Sequence, residues 1–69
     1  MKLSARNQLK GTVTKIDLGP ISAEVELAVG DQTIVAVITA SSARSLGLQV
    51  GSTAYAVIKA SNVMVAVDD

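Results

Sequence analysis

The chain has no cysteine, histidine, tryptophan or phenylalanine; Tyr55 is its one aromatic residue and Pro20 its one proline. Each gap closes a route. Without cysteine there is no disulfide, and without cysteine and histidine the usual structural zinc set is missing, so the two staples common in small domains are closed. There is no imidazole or thiol from which to build a nucleophile and its base. A single ring offers no row of platforms on which bases could stack. Six basic against six acidic residues leave no excess charge to follow a phosphate backbone. No apolar run approaches the roughly 18 residues that a membrane helix needs. Lys2 is not followed by the apolar core of a secretion signal. A soluble cytoplasmic protein with neither nucleic acid nor membrane as partner is the expectation. The lack of cysteine by itself is compatible with any compartment.

What the chain does have is aliphatic surface. Of its 69 residues 49% are hydrophobic, mostly Val, Ala, Ile and Leu. Sixty-nine residues make one domain at most, 1–69. Ordering it costs about 100 kcal/mol at about 1.5 kcal/mol per residue. So short a chain buries only a modest fraction of its surface alone. Association of subunits is the expected way to hide the rest.

The pattern predicts five short strands. Residues 8–17 carry Thr12, Val13, Thr14 and Ile16, suited to a pleated surface. Gly19-Pro20 marks a turn. Residues 22–29 alternate, with Ala23, Val25, Leu27 and Val29 on one face and Ser22, Glu24 and Glu26 on the other, as a half-buried antiparallel strand does. After the Gly30-Asp31 turn, residues 32–40 are apolar on both faces, Val35 and Val37 against Ile34 and Ile38, which predicts cover on both sides. Ser41 or Ser42 is placed to cap a short helix over 42–46. Gly47 fits the left-handed position after it, with Leu48 following. Residues 53–59 and 63–67 complete the strands, joined tightly through Ser61-Asn62. The expectation is an all-β fold: a small five-stranded antiparallel Greek-key barrel of the oligonucleotide-binding (OB) type, with one short helix between strands 3 and 4.

Two segments carry the chemistry. Ser4-Ala5-Arg6-Asn7-Gln8-Leu9 stands near the start and Lys59-Ala60-Ser61-Asn62-Val63-Met64 near the end. Each sets one cation beside hydroxyl donors and short side chains. A tetrahedral dianion asks for such a set: positive charge, several donors and no carboxylate nearby. Arginine brings a planar fork of donors, lysine a compact point charge, and small neighbours let backbone N–H groups approach closely. Plainer readings stand beside this one. Arg6 is also what a loose N-terminal arm would show, and Lys59 is also a lysine snorkelling from the end of an apolar strand. Ser61 also suits a turn with Asn62. Thr39 and Ser42, at the helix entrance, read first as capping residues, although free N–H groups there also favour an anion.

Ser4-Ala5-Arg6-Asn7-Gln8-Leu9-Lys10-Gly11 resembles the opening of the molbindins (Mop proteins), cytoplasmic carriers of molybdate or tungstate built on a TOBE-type, OB-like domain. The likeness continues through Val37-Ile38-Thr39, Ser45-Leu46-Gly47-Leu48, Tyr55-Ala56-Val57-Ile58-Lys59-Ala60 and Val63-Met64-Val65. It implies that Arg6 holds the oxyanion, with Ser4 as a hydroxyl donor and Ala5 offering a backbone N–H. It implies Lys59 as the second cation. Some relatives carry a hydroxyl directly after that lysine; here the place is Ala60, leaving either its N–H or the Ser61 hydroxyl as the donor. Thr39 and Ser42 match positions that lend hydroxyls to the pocket. The resemblance further implies a homohexamer, a trimer of dimers, with sites between subunits. Ser4 and Arg6 would come from one chain, Lys59 with Ala60 or Ser61 from another. The family has more than one class of oxyanion site, and the Gly19-Pro20-Ile21-Ser22 turn is a candidate for the second. The implied function is storage and buffering of the oxyanion, not catalysis.

Enzyme signatures are missing. Glu24 and Glu26 share a solvent face, and Gly47-Leu48-Gln49-Val50-Gly51 lacks the Lys-Ser/Thr of a phosphate loop. The alternative is an OB-type nucleic-acid-binding module, against which zero net charge and a single aromatic residue weigh.

Overall fold

A computed structural model describes all 69 residues. Four strands form one antiparallel sheet: β1 (Asn7–Leu18), β2 (Ser22–Val29), β3 (Gln32–Thr39) and β4 (Thr53–Ile58), with helix α1 (Ala40–Ser45) between β3 and β4. The strand order is β3-β2-β1-β4. Three consecutive strands with a fourth returning beside the first is the Greek-key order.

The sheet curls because β1 serves two partners. Its first half pairs with β4, from Asn7↔Ile58 to Thr12↔Thr53, and its second half with β2, from Thr12↔Ala28 to Leu18↔Ala23. The handover falls between Gly11 and a register shift at Val13/Lys15. At Gly11 the strands touch: a Cβ there would lie 2.5 Å from the Ala28 carbonyl oxygen and 2.9 Å from Val29 Cγ2. At the bulge the Val13 backbone turns to the 51–52 loop. Its N–H donates to Ser52 O at 2.9 Å, and its carbonyl accepts from Gly51 N–H at 2.8 Å. Bulges bend and twist a strand in this way. Gly11→Ala is therefore expected to lower stability by about 1–3 kcal/mol, the usual cost of overpacking. It should appear as a lower urea midpoint with the slope unchanged; an unchanged midpoint would mean the two backbones are not in contact at this crossing.

The core is small. Val13, Val25, Leu27 and Ala56 are buried together, with Ile16, Ile34, Ile38, Leu48 and Ala54 packed against them. The alternation predicted for 22–29 is present, since Ala23, Val25 and Leu27 are buried. In β3 the two faces part company. Ile34, Ala36 and Ile38 turn to the core, while Val35 and Val37 are 53% and 70% exposed on the chain alone.

Two expectations are corrected. The helix begins earlier than 42–46 and is capped by Thr39, not by Ser41 or Ser42: Thr39 Oγ1 accepts the Ser42 N–H at 3.0 Å. Thr39 is still extended at the end of β3, so its hydroxyl faces the first free N–H groups of the turn. The far end follows the sequence. Gly47 has φ +64°, with Gly47 N–H bonded to Arg44 O and Leu48 N–H to Ala43 O, the paired bonds of a Schellman stop.

The second correction is the fifth strand. Residues 60–62 form a 3₁₀ turn, which leads the chain off the sheet instead of reversing it into a hairpin. Residues 63–67 pair with nothing, and Met64, Val65 and Val67 are 86–93% exposed. Strand propensity is present there, but a strand exists only by pairing with an edge. The barrel is left open between β3 and β4. An apolar groove there is lined by Met1, Val25, Leu27, Ile38, Leu48 and Tyr55 among others.

Candidate functional site

Antiparallel pairing of β1 with β4 brings the two cation-bearing segments together within one chain. The last ladder pair is Asn7↔Ile58. Continued one step outward, that register sets Arg6 opposite Lys59. Directly opposed residues share a face, and faces alternate along a strand. That register sets Arg6 on the same side as Val57 and Lys59. An open cleft of about 580 Å³ lies there, lined by Ser4, Ala5, Arg6, Val57, Lys59, Ala60, Ser61 and Asn62.

Six of the residues singled out from the sequence, Ser4, Ala5, Arg6, Lys59, Ala60 and Ser61, line this one cleft. The split of Arg6 and Lys59 between different chains is not needed to bring them together. Arg6 and Lys59 are both exposed, and no carboxylate lines the cleft. Like charges set opposite each other repel, and no residue lining the cleft carries a negative charge to balance them. Donors are also at hand. The Lys59 side chain makes no capping bond at the start of the 3₁₀ turn. The N–H groups of Ala60 and Ser61, unlike those of Asn62 and Val63, have no backbone acceptor.

Thr39 and Ser42 lie elsewhere. Thr39 pairs with Ser22 at the opposite end of the sheet. Its hydroxyl donates to Ser42 Oγ at 2.7 Å while accepting the Ser42 N–H. On this chain the two hydroxyls cap the helix and do not reach the cleft. The Gly19-Pro20 turn, the candidate for a second class of site, also lies away from the cleft. The hollow beside it is lined by Asp17, Gly19, Ser22, Glu24 and Val37, and the Gly19 N–H is already bonded to Ser22 O at 2.9 Å. Asp17 and Glu24 are direct partners across β1 and β2, and two carboxylates repel a dianion.

Sequence reasoning did not assign Val57 or Asn62 to the site. For Val57 the signal was there, since it lies two residues before Lys59 and shares its face. Asn62 reads from sequence as a turn residue only, and its place in the cleft depends on the 3₁₀ turn. Tyr55 lines the apolar groove and not the cleft, so no aromatic ring accompanies the two cations.

The TOBE domain family matches residues 3–65. A probable molybdenum-pterin-binding protein of Haemophilus influenzae is 44% identical over 69 residues, covering 99% of this chain and 100% of that one. Among solved structures, a molybdate-binding protein from Sporomusa ovata superposes with a TM-score of 0.91 at 35% identity, over 96% of this chain and 98% of the other. The cytoplasmic molybdate-binding protein ModG, in a form with molybdate bound, superposes with a TM-score of 0.87 at 48% identity. That match covers 93% of this chain and 46% of ModG. The chain thus spans essentially the whole length of the first two and under half of the third.

Proposed function

Because the chain belongs to the molbindin (Mop) family of TOBE domains, we propose that it binds molybdate or tungstate at the cleft between its N-terminal segment and the end of β4. The observation that carries this reading is the like-charge pair Arg6 and Lys59, set opposite each other in a cleft with hydroxyl and backbone donors and no carboxylate. Such a pair weakens the ligand-free chain and is balanced by a dianion between its members. Arg6 supplies a forked, charge-assisted contact and Lys59 a second charge. Ser4 and Ser61 supply hydroxyls, and Ala5 and Ala60 backbone N–H groups. The role is storage and buffering of the oxyanion in the cytoplasm, without chemistry on it.

The cleft is open on one side, and we place the completed site between subunits of a homo-oligomer, a hexamer arranged as a trimer of dimers. Thr39 and Ser42 then act from a second copy, whose helix entrance would close the open side. Within one chain they are too far along the sheet to do so.

Calorimetry with molybdate, tungstate and sulfate at equal ionic strength tests the reading. Molybdate and tungstate should bind alike, being tetrahedral dianions of almost the same size. Sulfate should bind markedly more weakly, because donors fixed for the larger ion leave the smaller one with long hydrogen bonds. Equal affinity for sulfate would remove the claim of specificity.

A further inference from the structure

Past the Asn7↔Ile58 pair no ladder bond holds Arg6 opposite Lys59, and like charges so placed repel. Two side-chain amides act at this point. Asn7 Nδ2 donates to the carbonyl oxygen of Ile58 at 3.1 Å, at the base of the limb that carries Lys59, Ala60 and Ser61. Gln8 Nε2 donates to the carbonyl oxygen of Ala5 at 2.8 Å, inside the limb that carries Ser4 and Arg6. Neighbouring residues of a strand face opposite ways, so the first two residues of β1 reach the two limbs separately.

We infer that Asn7 and Gln8 are positioning residues that hold the two cation-bearing limbs in register before the anion arrives. The proposal rests on the cleft being the oxyanion site. The amide group suits the task. It donates without adding charge, so it neither neutralises Arg6 and Lys59 nor repels them. It also occupies carbonyl oxygens close to the cleft, whose free lone pairs would oppose a dianion. A carboxylate at either position would lose the donor and set negative charge against a carbonyl oxygen. Asn7 is half-buried and bridges two strands, whereas Gln8 is exposed and closes only a local loop. Gln8 can therefore be changed with little risk to the fold.

The test compares Asn7→Ala, Gln8→Ala and Gln8→Glu with the unaltered chain in two measurements. The first is calorimetry with molybdate and sulfate. Each alanine variant should lose about three- to tenfold in molybdate affinity, the usual net worth of one hydrogen bond. The molybdate-to-sulfate ratio should fall as well, because discrimination by size needs fixed donors. Gln8→Glu should lose more than Gln8→Ala. A role in folding alone would leave that ratio unmoved. The second is amide hydrogen exchange on the ligand-free chain. Asn7→Ala should speed exchange at Asn62 and Val63, whose N–H groups bond within the 3₁₀ turn, and Gln8→Ala should not. Unchanged affinity and ratio in both alanine variants of a chain that binds molybdate would overturn the positioning role. If the unaltered chain binds neither anion, the functional reading fails instead. Exchange at Asn62 and Val63 then decides the point: faster in Asn7→Ala supports the restraint, unchanged overturns it.

Discussion

Replacing Arg6 with alanine should lower the affinity for molybdate by roughly ten- to a hundredfold, while Lys10→Ala leaves it almost unchanged. Arg6 lines the cleft and, in the proposed site, would be its forked donor. A charge-assisted bond is worth about 1.5–3 kcal/mol, and every 1.4 kcal/mol is a factor of about ten. Lys10 is the fitting control because it carries the same charge on β1, the strand that Arg6 immediately precedes. It pairs with Tyr55, roughly 13 Å along from Arg6 at about 3.3 Å per residue, and it does not line the cleft. The contrast separates a specific contact from a general loss of positive charge. The ligand-free Arg6→Ala chain should be no less stable than the original, since the substitution removes a like-charge neighbour of Lys59. Binding and stability therefore move apart, as expected where a site is built against local stability. If both variants bind as the original does, the N-terminal segment is not part of the site. If Arg6→Ala unfolds the chain, its weak binding says nothing specific about the anion, and the opposed-charge reading of this end of the sheet is wrong.

Much of this was legible because strands obey short rules. The alternation of Ala23, Val25 and Leu27 marked a buried face, and Gly47 before Leu48 marked the helix stop. Each signal is local, and each is found where it was read. The cleft was legible for a different reason. Ser4, Arg6, Lys59 and Ser61 lie more than fifty residues apart across the two segments, and chemical likeness together with the family resemblance joins them in sequence, as the β1–β4 register does in space. What could not be read locally depends on partners. Residues 63–67 have the composition of a strand, yet pairing is decided by a free edge and by the direction in which the 3₁₀ turn leaves the sheet. The cap moved from serine to Thr39 because the helix starts as soon as β3 ends, a boundary that Thr39-Ala40-Ser41-Ser42 leaves open. Thr39 and Ser42 stand apart from the cleft because chain order does not reveal which end of a sheet a helix entrance will occupy.

The protein is expected to be an oligomer whose melting temperature rises steeply with added molybdate. The chain alone is unusually open. A compact monomer of its mass exposes about 4,000 Å², whereas this chain exposes 5450 Å² and buries 7 of its 69 residues. Its radius of gyration, 12.9 Å, exceeds the roughly 11 Å of a compact 69-residue domain. A standard interface covers about 800 Å² per partner, so the surplus surface is on the scale of contacts with more than one neighbour. The apolar surface stands where neighbours could cover it: Val35 and Val37 on the outer face of β3, the groove between β3 and β4, and the exposed segment 63–67. Subunit contacts would replace the missing disulfide and metal as the source of stability. If the oxyanion sites are shared between chains, the anion binds the assembly and not its separated parts, so linkage must favour assembly. At a hundred times the dissociation constant, one site contributes about 2.7 kcal/mol. For a domain of this size each kcal/mol moves the midpoint by about 4–8 °C, so one site per chain should raise it by roughly 10–20 °C. Sedimentation at several protein concentrations gives the mass, and melting curves with and without molybdate give the shift. Arg6→Ala should assemble normally and lose most of the shift, which ties the stabilisation to the cleft and not to salt. A stable monomer that binds molybdate with full affinity would exclude a shared site. Thr39 and Ser42 would then be helix caps alone, and the open side of the cleft would be its functional state.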